Sequence, residues 1–207
     1  MTLSRTYVTT ALALFVSCVG VLPAQKQDDA ADTARLIEVL QLREGSTVAD
    51  VGAGSGELTV RMAQHVGPNG KVFSTDVNPA RLKEIGEAAR KVGVQNVTIV
   101  EGGSARTNLP DQCCDAIFMR HVYHHFGDVA AMNSSLRASL KPGGRLAVVD
   151  FAPDSGVSAP PGRRDTNKTH GVMPGTVIEE LKATGFEDVK QLPWSSPGYF
   201  LVVGVRR

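Results

Sequence analysis

Apolar residues follow two spacings along this chain, and the two spacings alternate. Short runs rich in β-branched and other apolar residues, typical of buried strands, cover residues 47–51, 71–75, 97–100, 116–119 and 146–151. Between these runs, apolar residues recur every three or four positions, as they do on one face of a helix. The alternation predicts successive strand–helix–strand units whose strands lie parallel in one sheet.

The predicted helices are marked by their apolar faces and by local start signals. These faces consist of Leu36, Ile37 and Leu40; Leu58, Met62 and Val66; Leu82, Ile85 and Ala89; Met132, Leu136 and Leu140; and the segment 177–184. Asn78 followed by Pro79 favours a helix start, because Asn caps a helix and Pro fits its first position. For the first helix we predict a cap at Asp32 or Thr33 and an end at Gly45.

The end of the chain breaks this rhythm. Residues 187–192 and 199–205 resemble strands, and the six residues between them are too few for a parallel crossover. The two strands are therefore predicted to pair antiparallel. The predicted fold is α/β, with a doubly wound, mostly parallel, seven-stranded sheet, helices on both faces and a C-terminal antiparallel hairpin.

The first 24 residues differ from the rest of the chain. Arg5 supplies positive charge, and an uninterrupted apolar run over residues 11–22 follows it. This layout is typical of a signal peptide, and the run is shorter than the roughly 20 residues that a membrane-spanning helix needs. We predict a signal peptide or N-terminal anchor over residues 1–24, a linker over residues 25–32 and a domain over residues 33–207.

Three fates of the N-terminal segment stay open. Cleavage after Ala24 is favoured, and lipidation at Cys18 is an alternative because Phe15-Val16-Ser17-Cys18 resembles a lipobox. The segment could also be retained on a cytoplasmic protein. We expect an exported protein, periplasmic or secreted, with membrane anchoring and a cytoplasmic location as the alternatives.

Composition favours a single domain with a small ligand. The chain has 207 residues, of which 42% are hydrophobic, so it holds one sizeable core but not two full enzyme domains. Its 22 basic and 21 acidic residues nearly cancel, so no strong field attracts nucleic acid or an anionic membrane. We expect a small-molecule substrate, no nucleic acid, and membrane contact only through the N-terminal segment if it is uncleaved or lipidated.

A glycine-rich turn is the sharpest local signal. In VADVGAGSGEL, residues 48–58, a strand runs into a turn that opens a helix, so a ligand can approach the backbone and the helix N-terminus. Asp76 ends the second strand about 20 residues further along, where an acidic side chain can accept both hydroxyls of a ribose. The turn alone would be a weak signal, but the turn and Asp76 together predict a nucleoside-binding site.

Four segments, in chain order, are VADVGAGSGELT, STDVNP, DAIFMRHVYHHF and LKPGGRLAVVDF. They resemble the motifs of class I, Rossmann-like, S-adenosylmethionine-dependent methyltransferases, in particular the ubiquinone-biosynthesis-like, small-molecule branch. The resemblance covers about Thr33 to Arg207. It implies a methyltransferase domain with S-adenosyl-L-methionine as its cofactor.

The resemblance also implies cofactor-binding residues, which lie on or beside the loops after the first four strands. They are Asp50, Gly52, Ala53, Gly54, Gly56, Asp76, Val77, Ser104, Ala105 and His121. Asp50 would orient the glycine loop, Asp76 would hold the ribose and Val77 would pack beside the adenine. Ser104 stands where the family often has an Asp that accepts from the adenine amino group.

Catalytic candidates are few, because the sulfonium is already an activated methyl donor and alignment supplies most of the catalysis. A base matters only when the acceptor arrives protonated. His121, Tyr123, His125 and His170 are the candidates, and we favour His170 and His125. His170 lies in a segment over residues 152–173, rich in Pro, Gly and charge, whose place after the fifth strand suits a lid over the ligand.

We predict no metal site. His121, His124 and His125 are close in sequence, but no carboxylate or cysteine partner stands at a convincing spacing. The adjacent Cys113 and Cys114 also lack a Cys-x-x-Cys spacing, and the prediction for them is buried thiols entering a strand.

Two other functions compete with methyl transfer. A nicotinamide-dependent oxidoreductase would also use a glycine turn and an acidic residue, but its usual fingerprint is G-x-G-x-x-G, whereas this chain has G-x-G-x-G. An exported, non-catalytic, nucleoside-binding protein with a methyltransferase fold is the second alternative, because a fold does not guarantee a function. A damaged glycine loop would favour that alternative, and this loop is intact.

Overall fold

Helices and strands alternate along the described chain, residues 29–165 and 167–207 of a computed structural model. The helices are α1 (Asp29–Leu40), α2 (Glu57–Val66), α3 (Pro79–Val92), α4 (Val129–Ser139) and α5 (Pro174–Ala183). The strands are β1 (Thr47–Val51), β2 (Lys71–Asp76), β3 (Val97–Glu101), β4 (Cys114–Arg120), β5 (Leu140–Phe151), β6 (Glu187–Leu192) and β7 (Tyr199–Val205). Short 3₁₀ turns form at Tyr123–His125 and Asn167–Thr169.

The strands form one sheet in the order β3-β2-β1-β4-β5-β7-β6. The pairings among β1 to β5 are parallel, whereas β7 pairs antiparallel with both β5 and β6. The predicted fold, including the C-terminal hairpin, is confirmed. The order reverses between β1 and β4, so the carboxyl ends of these strands border the crevice where ligands of open α/β sheets bind.

Two hydrophobic clusters cover the two faces of the sheet. Leu36 of α1 and Met62 of α2 belong to one cluster, and Leu136 of α4 and Leu181 of α5 belong to the other; all four are fully buried. Burial of each such side chain stabilises the fold by about 1.5–3 kcal/mol. Neighbouring strand residues alternate between the clusters, as period-two side-chain geometry requires, and this fixes the register of each strand.

The first helix begins earlier than predicted. Residues 29–32, assigned to the linker from sequence, are helical, and the helix ends at Leu40 rather than at Gly45. The reason is tertiary: Arg120, at the end of β4, donates to Asp29 at 2.6 Å and to Asp32 at 2.9 Å. This pairing holds the first turn of α1 against the carboxyl end of the sheet. No local sequence pattern predicts it.

The fifth strand also begins earlier than predicted, at Leu140 instead of residue 146. Leu140 pairs with Cys114, and the register shifts between Cys114 and Ala116. Cys114 is buried at the start of β4 and Cys113 is partly buried, and both are free thiols. Because of this register shift, the Pro-Gly-Gly sequence at residues 142–144 lies within β5 and does not precede it.

Across residues 29–165 and 167–207, no helix is both long and apolar enough to cross a membrane. The predicted signal peptide or anchor over residues 1–24, with its alternatives at Ala24 and Cys18, lies outside the described residues.

Candidate active site

A cleft of about 840 Å³ opens at the carboxyl ends of β1 and β2, beside the loops that follow β3 and β4. Several residues predicted from sequence line it. They are Gly52, Asp76, Val77, Ser104, Ala105 and His125. The other predicted residues do not line the cleft; they are Asp50, Ala53, Gly54, Gly56, His121 and His170.

The glycine loop is tied to the end of β2. Gly52 and Ala53 donate their backbone N–H groups to the carbonyl of Thr75 at 2.8 and 2.9 Å. Gly56 has φ +83°, and a Cβ there would lie 3.0 Å from the Ile85 Cα in α3. Because L side chains disfavour that backbone conformation and the neighbouring atom is main chain, only glycine fits without strain.

Asp76 joins the loop to the second strand. Its Oδ2 accepts from the Gly54 N–H at 3.0 Å, and its Oδ1 accepts from the Asn78 N–H at 2.9 Å. An ionised carboxylate has about four lone-pair sites, so each oxygen keeps a site for a ligand hydroxyl. The next residue, Val77, is 63% exposed at the cleft wall, which leaves an apolar side chain for a ligand to cover.

Asp50 lies beneath the loop, in β1. Its side chain is buried, and its Oδ2 accepts from the Thr59 hydroxyl at 2.7 Å. The same hydroxyl lies 2.8 Å from the Ser74 hydroxyl. Burial raises the pKa of Asp50 to about 7, although the Thr59 hydrogen bond acts in the opposite direction. That Asp50 orients the glycine loop stays a prediction.

The loop after β3 forms the far wall of the cleft. Gly102 donates its N–H to the carbonyl of Asp76 at 3.0 Å, which draws this loop against the end of β2. Ser104 is exposed and Ala105 is half-buried at the cleft. The Ser104 hydroxyl can therefore take the place of the family's Asp as a hydrogen-bonding group, and that contact stays a prediction.

The His121 ring packs away from the cleft lining. It stacks on Tyr199 with 4.5 Å between ring centroids and meets Phe151 edge-on at 6.0 Å. Its backbone has φ +60°, an uncommon conformation for a non-glycine residue that often marks functional sites. Burial lowers the pKa of His121 to about 4, so the ring is neutral at pH 7. His121 thus borders the end of β5 and the start of β7, whereas the resemblance implies a place beside the cofactor.

Three other imidazoles converge beside the cleft, and we call His124, His125 and His170 the histidine cluster. His124 is buried, its Nδ1 lies 2.8 Å from the Asp150 Oδ1, and its Nε2 lies 3.1 Å from the His170 Nε2. The ring centroids of His124 and His125 are 4.0 Å apart. The fold therefore brings His170 to histidines more than 40 residues away in sequence, which spacing along the chain does not reveal.

Asp150 is the site residue that sequence reasoning missed. It is fully buried near the end of β5 and accepts from the His124 N–H at 3.1 Å and the Phe151 N–H at 2.9 Å, in addition to the imidazole. The only available signal was its place as a charged residue at the end of an apolar strand, LAVVDF. A buried carboxylate there requires donors nearby, and the sequence does not say which.

The two favoured catalytic histidines occupy different places. His125 lines the cleft, and partial burial together with the charge of nearby groups lowers its pKa below the usual range. A neutral imidazole of this kind can accept a proton at pH 7. His170 faces His124 instead. Tyr123, another candidate base, is fully buried, and its hydroxyl accepts from Asn133 at 2.9 Å, so it belongs to the core.

The segment over residues 152–173 is anchored to α5. Arg164 is 2% exposed; its two terminal nitrogens donate to the Glu180 carboxylate at 3.1 and 2.6 Å, and its Nε donates to the Ala159 carbonyl at 2.8 Å. Arg164 is therefore a structural anchor of this segment. Arg163 and Lys168 remain exposed.

Comparison with known proteins agrees with this architecture. Residues 42–189 match a family described as a methyltransferase domain. The chain belongs to this methyltransferase family. The resemblance inferred from the four ordered motifs is thereby confirmed.

Individual relatives match over different lengths. UbiE of Escherichia coli, a ubiquinone/menaquinone biosynthesis C-methyltransferase, is 35% identical over 117 residues, which are 56% of this chain and 47% of UbiE. The chain thus spans about half the length of such relatives.

Solved structures match over most of the chain. A SAM-dependent methyltransferase from Aquifex aeolicus has a TM-score of 0.69 and 25% identity, covering 86% of this chain and 92% of that one. Phosphoethanolamine N-methyltransferase 2 of Haemonchus contortus, solved with S-adenosyl-L-methionine, has a TM-score of 0.69 and 15% identity. It covers 84% of this chain and 52% of that one, and at this identity it shows the fold alone.

Proposed function

We propose that this methyltransferase moves a methyl group from S-adenosylmethionine to a small-molecule acceptor bound where the cleft meets the histidine cluster. One observation carries the proposal: the Gly54 N–H donates to the Asp76 carboxylate, so two motifs 22 residues apart form one nucleoside-sized cleft. Within the described residues, the glycine loop is intact and nothing favours a non-catalytic nucleoside-binding protein.

The residues of the cleft fit the proposed cofactor. The free acceptor sites of Asp76 suit the ribose hydroxyls, and the exposed Val77 suits the flat face of an adenine. The carboxyl of Asp50 lies under the loop that would face the cationic half of the molecule. When bound, S-adenosylmethionine supplies a methyl group on a sulfonium, an activated donor that needs alignment more than acid–base help.

The acceptor would enter from the side of His125. This residue belongs both to the cleft wall and to the histidine cluster, so an acceptor held there lies next to the cofactor site. Its neutral imidazole can take a proton from a hydroxyl or another protonated nucleophile. The name of UbiE points to quinone-like carbon acceptors, and such compounds are the first to screen.

The test is calorimetric titration of the full chain with S-adenosylmethionine and S-adenosylhomocysteine. Asp76→Ala removes the ribose acceptor and is expected to weaken binding about 10- to 100-fold, the loss of one or two hydrogen bonds to a charged group. Asp188→Ala is the matched control, because Asp188 lies on β6 and pairs with Arg207. Failure of the folded wild-type chain to bind either compound would overturn the proposal.

Asp76→Asn tests whether weaker binding by Asp76→Ala results from a disturbed fold. The amide oxygen of Asn still accepts one of the two backbone N–H groups that Asp76 now holds. We expect this variant to melt like the wild type and to bind S-adenosylmethionine more weakly. Wild-type affinity in both Asp76 variants would exclude Asp76 from the cofactor site.

We also propose that the domain is exported through its first 24 residues. The apolar run over residues 11–22, preceded by Arg5, supports this proposal. Cell fractionation with mass spectrometry of the N-terminus tests it. A mature chain outside the cytoplasm, beginning at Gln25 or lipidated at Cys18, is expected; a full-length chain confined to the cytosol would refute it.

A further inference from the structure

The histidine cluster has the arrangement of a metal-ligand set. One ring nitrogen from each of His124, His125 and His170 lies within 4.8 Å of the other two. The three side chains come from two separate segments, the turn after β4 and the end of the loop before α5. Imidazole nitrogens are good ligands for divalent transition metals, so three of them this close can converge on one ion.

Asp150 determines which nitrogen of His124 is free. Because a carboxylate oxygen accepts, the His124 Nδ1, 2.8 Å from the Asp150 Oδ1, carries a proton, and Nε2 is the nitrogen available to a metal. This Nε2 faces the Nε2 of His170. In metal sites the second ring N–H of a histidine ligand is commonly held by a carboxylate, a backbone carbonyl or water, which orients the ring and raises its basicity.

The spacing of the two facing nitrogens suits an ion. Zn–N bonds of about 2.0–2.1 Å in a tetrahedral site place ligand nitrogens about 3.3 Å apart. The Nε2 atoms of His124 and His170 are 3.1 Å apart and share a hydrogen bond, so a shift of a few tenths of an ångström and release of the shared proton to solvent would admit the ion. His125 is exposed, and its ring can turn to complete the set without disturbing the core.

In contrast to the prediction of no metal site from sequence spacing, we propose that His124, His125 and His170 bind a divalent transition-metal ion such as Zn²⁺ or Co²⁺, with Asp150 orienting His124. Three imidazoles and no thiolate favour these borderline ions over Mg²⁺ or Ca²⁺, which prefer oxygen ligands. Three protein ligands leave a fourth position open. This position adjoins the cleft wall through His125.

The use of the ion rests on the proposed methyl transfer. An oxygen of the acceptor that occupies the fourth position would lose its proton more readily, because the cation stabilises the anion that forms. In the metal-bound site His125 is a ligand and does not act as the base; the metal itself is not consumed, and the proton leaves to solvent. Ion binding alone does not depend on the methyl-transfer proposal and is measured separately.

Metal titration of the untagged, full-length chain after chelator treatment tests the site. We expect one equivalent of Co²⁺ to produce the visible absorption of a four-coordinate ion, and Zn²⁺ to displace it. His170→Ala and His125→Ala are expected to lose this absorption. Both residues are exposed, so these variants should keep the fold, as circular dichroism will show.

Two further variants separate ligation from general effects. Asp150→Asn should weaken the ion about 10- to 100-fold while one equivalent still binds, which is the usual effect of an altered partner behind a histidine ligand. His65→Ala is the matched control, because His65 lies on α2 outside the cluster and should leave binding unchanged. No absorption with the wild-type chain, or equal affinity in His170→Ala, would overturn the proposal.

S-adenosylmethionine binding by the same samples distinguishes the two proposals. A chain that binds the cofactor but no metal refutes the metal site alone. A chain that binds metal at the three histidines but no cofactor refutes the methyl-transfer proposal and leaves the metal site standing.

Discussion

Two buried aspartates, Asp50 beneath the cofactor cleft and Asp150 beneath the histidine cluster, have different partners. Asp50 accepts from a hydroxyl of Thr59, and burial raises its pKa to about 7. Asp150 accepts from two backbone N–H groups and from the His124 imidazole. Several N–H donors thus hold Asp150 in place, whereas Asp50 has a single hydroxyl donor and its burial brings its pKa near neutral pH.

The difference extends to the regions around them. Two motifs of the cleft, the glycine loop and the acidic end of β2, each have a local signature, although the loops after β3 and β4 complete the walls. The histidine cluster is assembled from the turn after β4, the end of β5 and a loop anchored by Arg164. Local geometry can be predicted from a motif, but an assembled site depends on the order of the strands.

The largest expected effect concerns the charge of Asp50. Its pKa rises from 3.8 unfolded to about 7 folded, so the folded state binds more protons between these values. The stabilising contribution is full below about pH 4 and is lost as pH rises through about 7, up to about 4 kcal/mol in total.

Urea unfolding between pH 4 and pH 8 measures this slope. Asp50→Asn, which does not titrate but can still accept from Thr59, should flatten it. An unchanged slope in Asp50→Asn would mean that the buried carboxyl under the cleft is not its source, and the contrast with Asp150 would disappear.

The second-largest effect is expected on removal of the Asp150 carboxylate. Asp150→Ala leaves the buried N–H groups of His124 and Phe151 without their acceptor, and we expect a loss of about 3 kcal/mol in the free energy of unfolding. Asp154→Ala, on the adjoining exposed loop, should change the free energy by less than about 0.5 kcal/mol. Equal effects of the two substitutions would show that Asp150 does not hold the cluster together.

The smallest effects on the free energy of unfolding are expected from substitutions in the glycine loop. Gly56→Ala should cost about 2 kcal/mol, because φ is +83° and the new Cβ meets the Ile85 backbone. Gly54→Ala should cost about 1 kcal/mol, because φ is +55° but no atom lies within 4 Å of its Cβ. Thermal and urea unfolding of the two variants measure these losses in the free energy of unfolding. A larger loss for Gly54→Ala would contradict the packing assigned to Gly56.

The sequence by itself determined the parts of this protein that depend on local physics. The alternating periods fixed the strand–helix succession, and the six-residue connection fixed the antiparallel hairpin of β6 and β7. The glycine turn and Asp76 were identifiable because a close backbone approach and an acidic residue after a strand each leave a local signature. The four ordered motifs were enough to identify the family.

Only the tertiary structure decided where distant side chains meet. His170 reaches His124, Asp150 fixes the imidazole, Arg164 turns inward to Glu180, and Arg120 draws the start of α1 onto the sheet. None of these contacts follows from spacing along the chain, because each depends on the strand order and on the direction in which a side chain leaves its backbone. The physical reason is that periodicity reports burial, whereas the choice of polar partner is made by long-range packing.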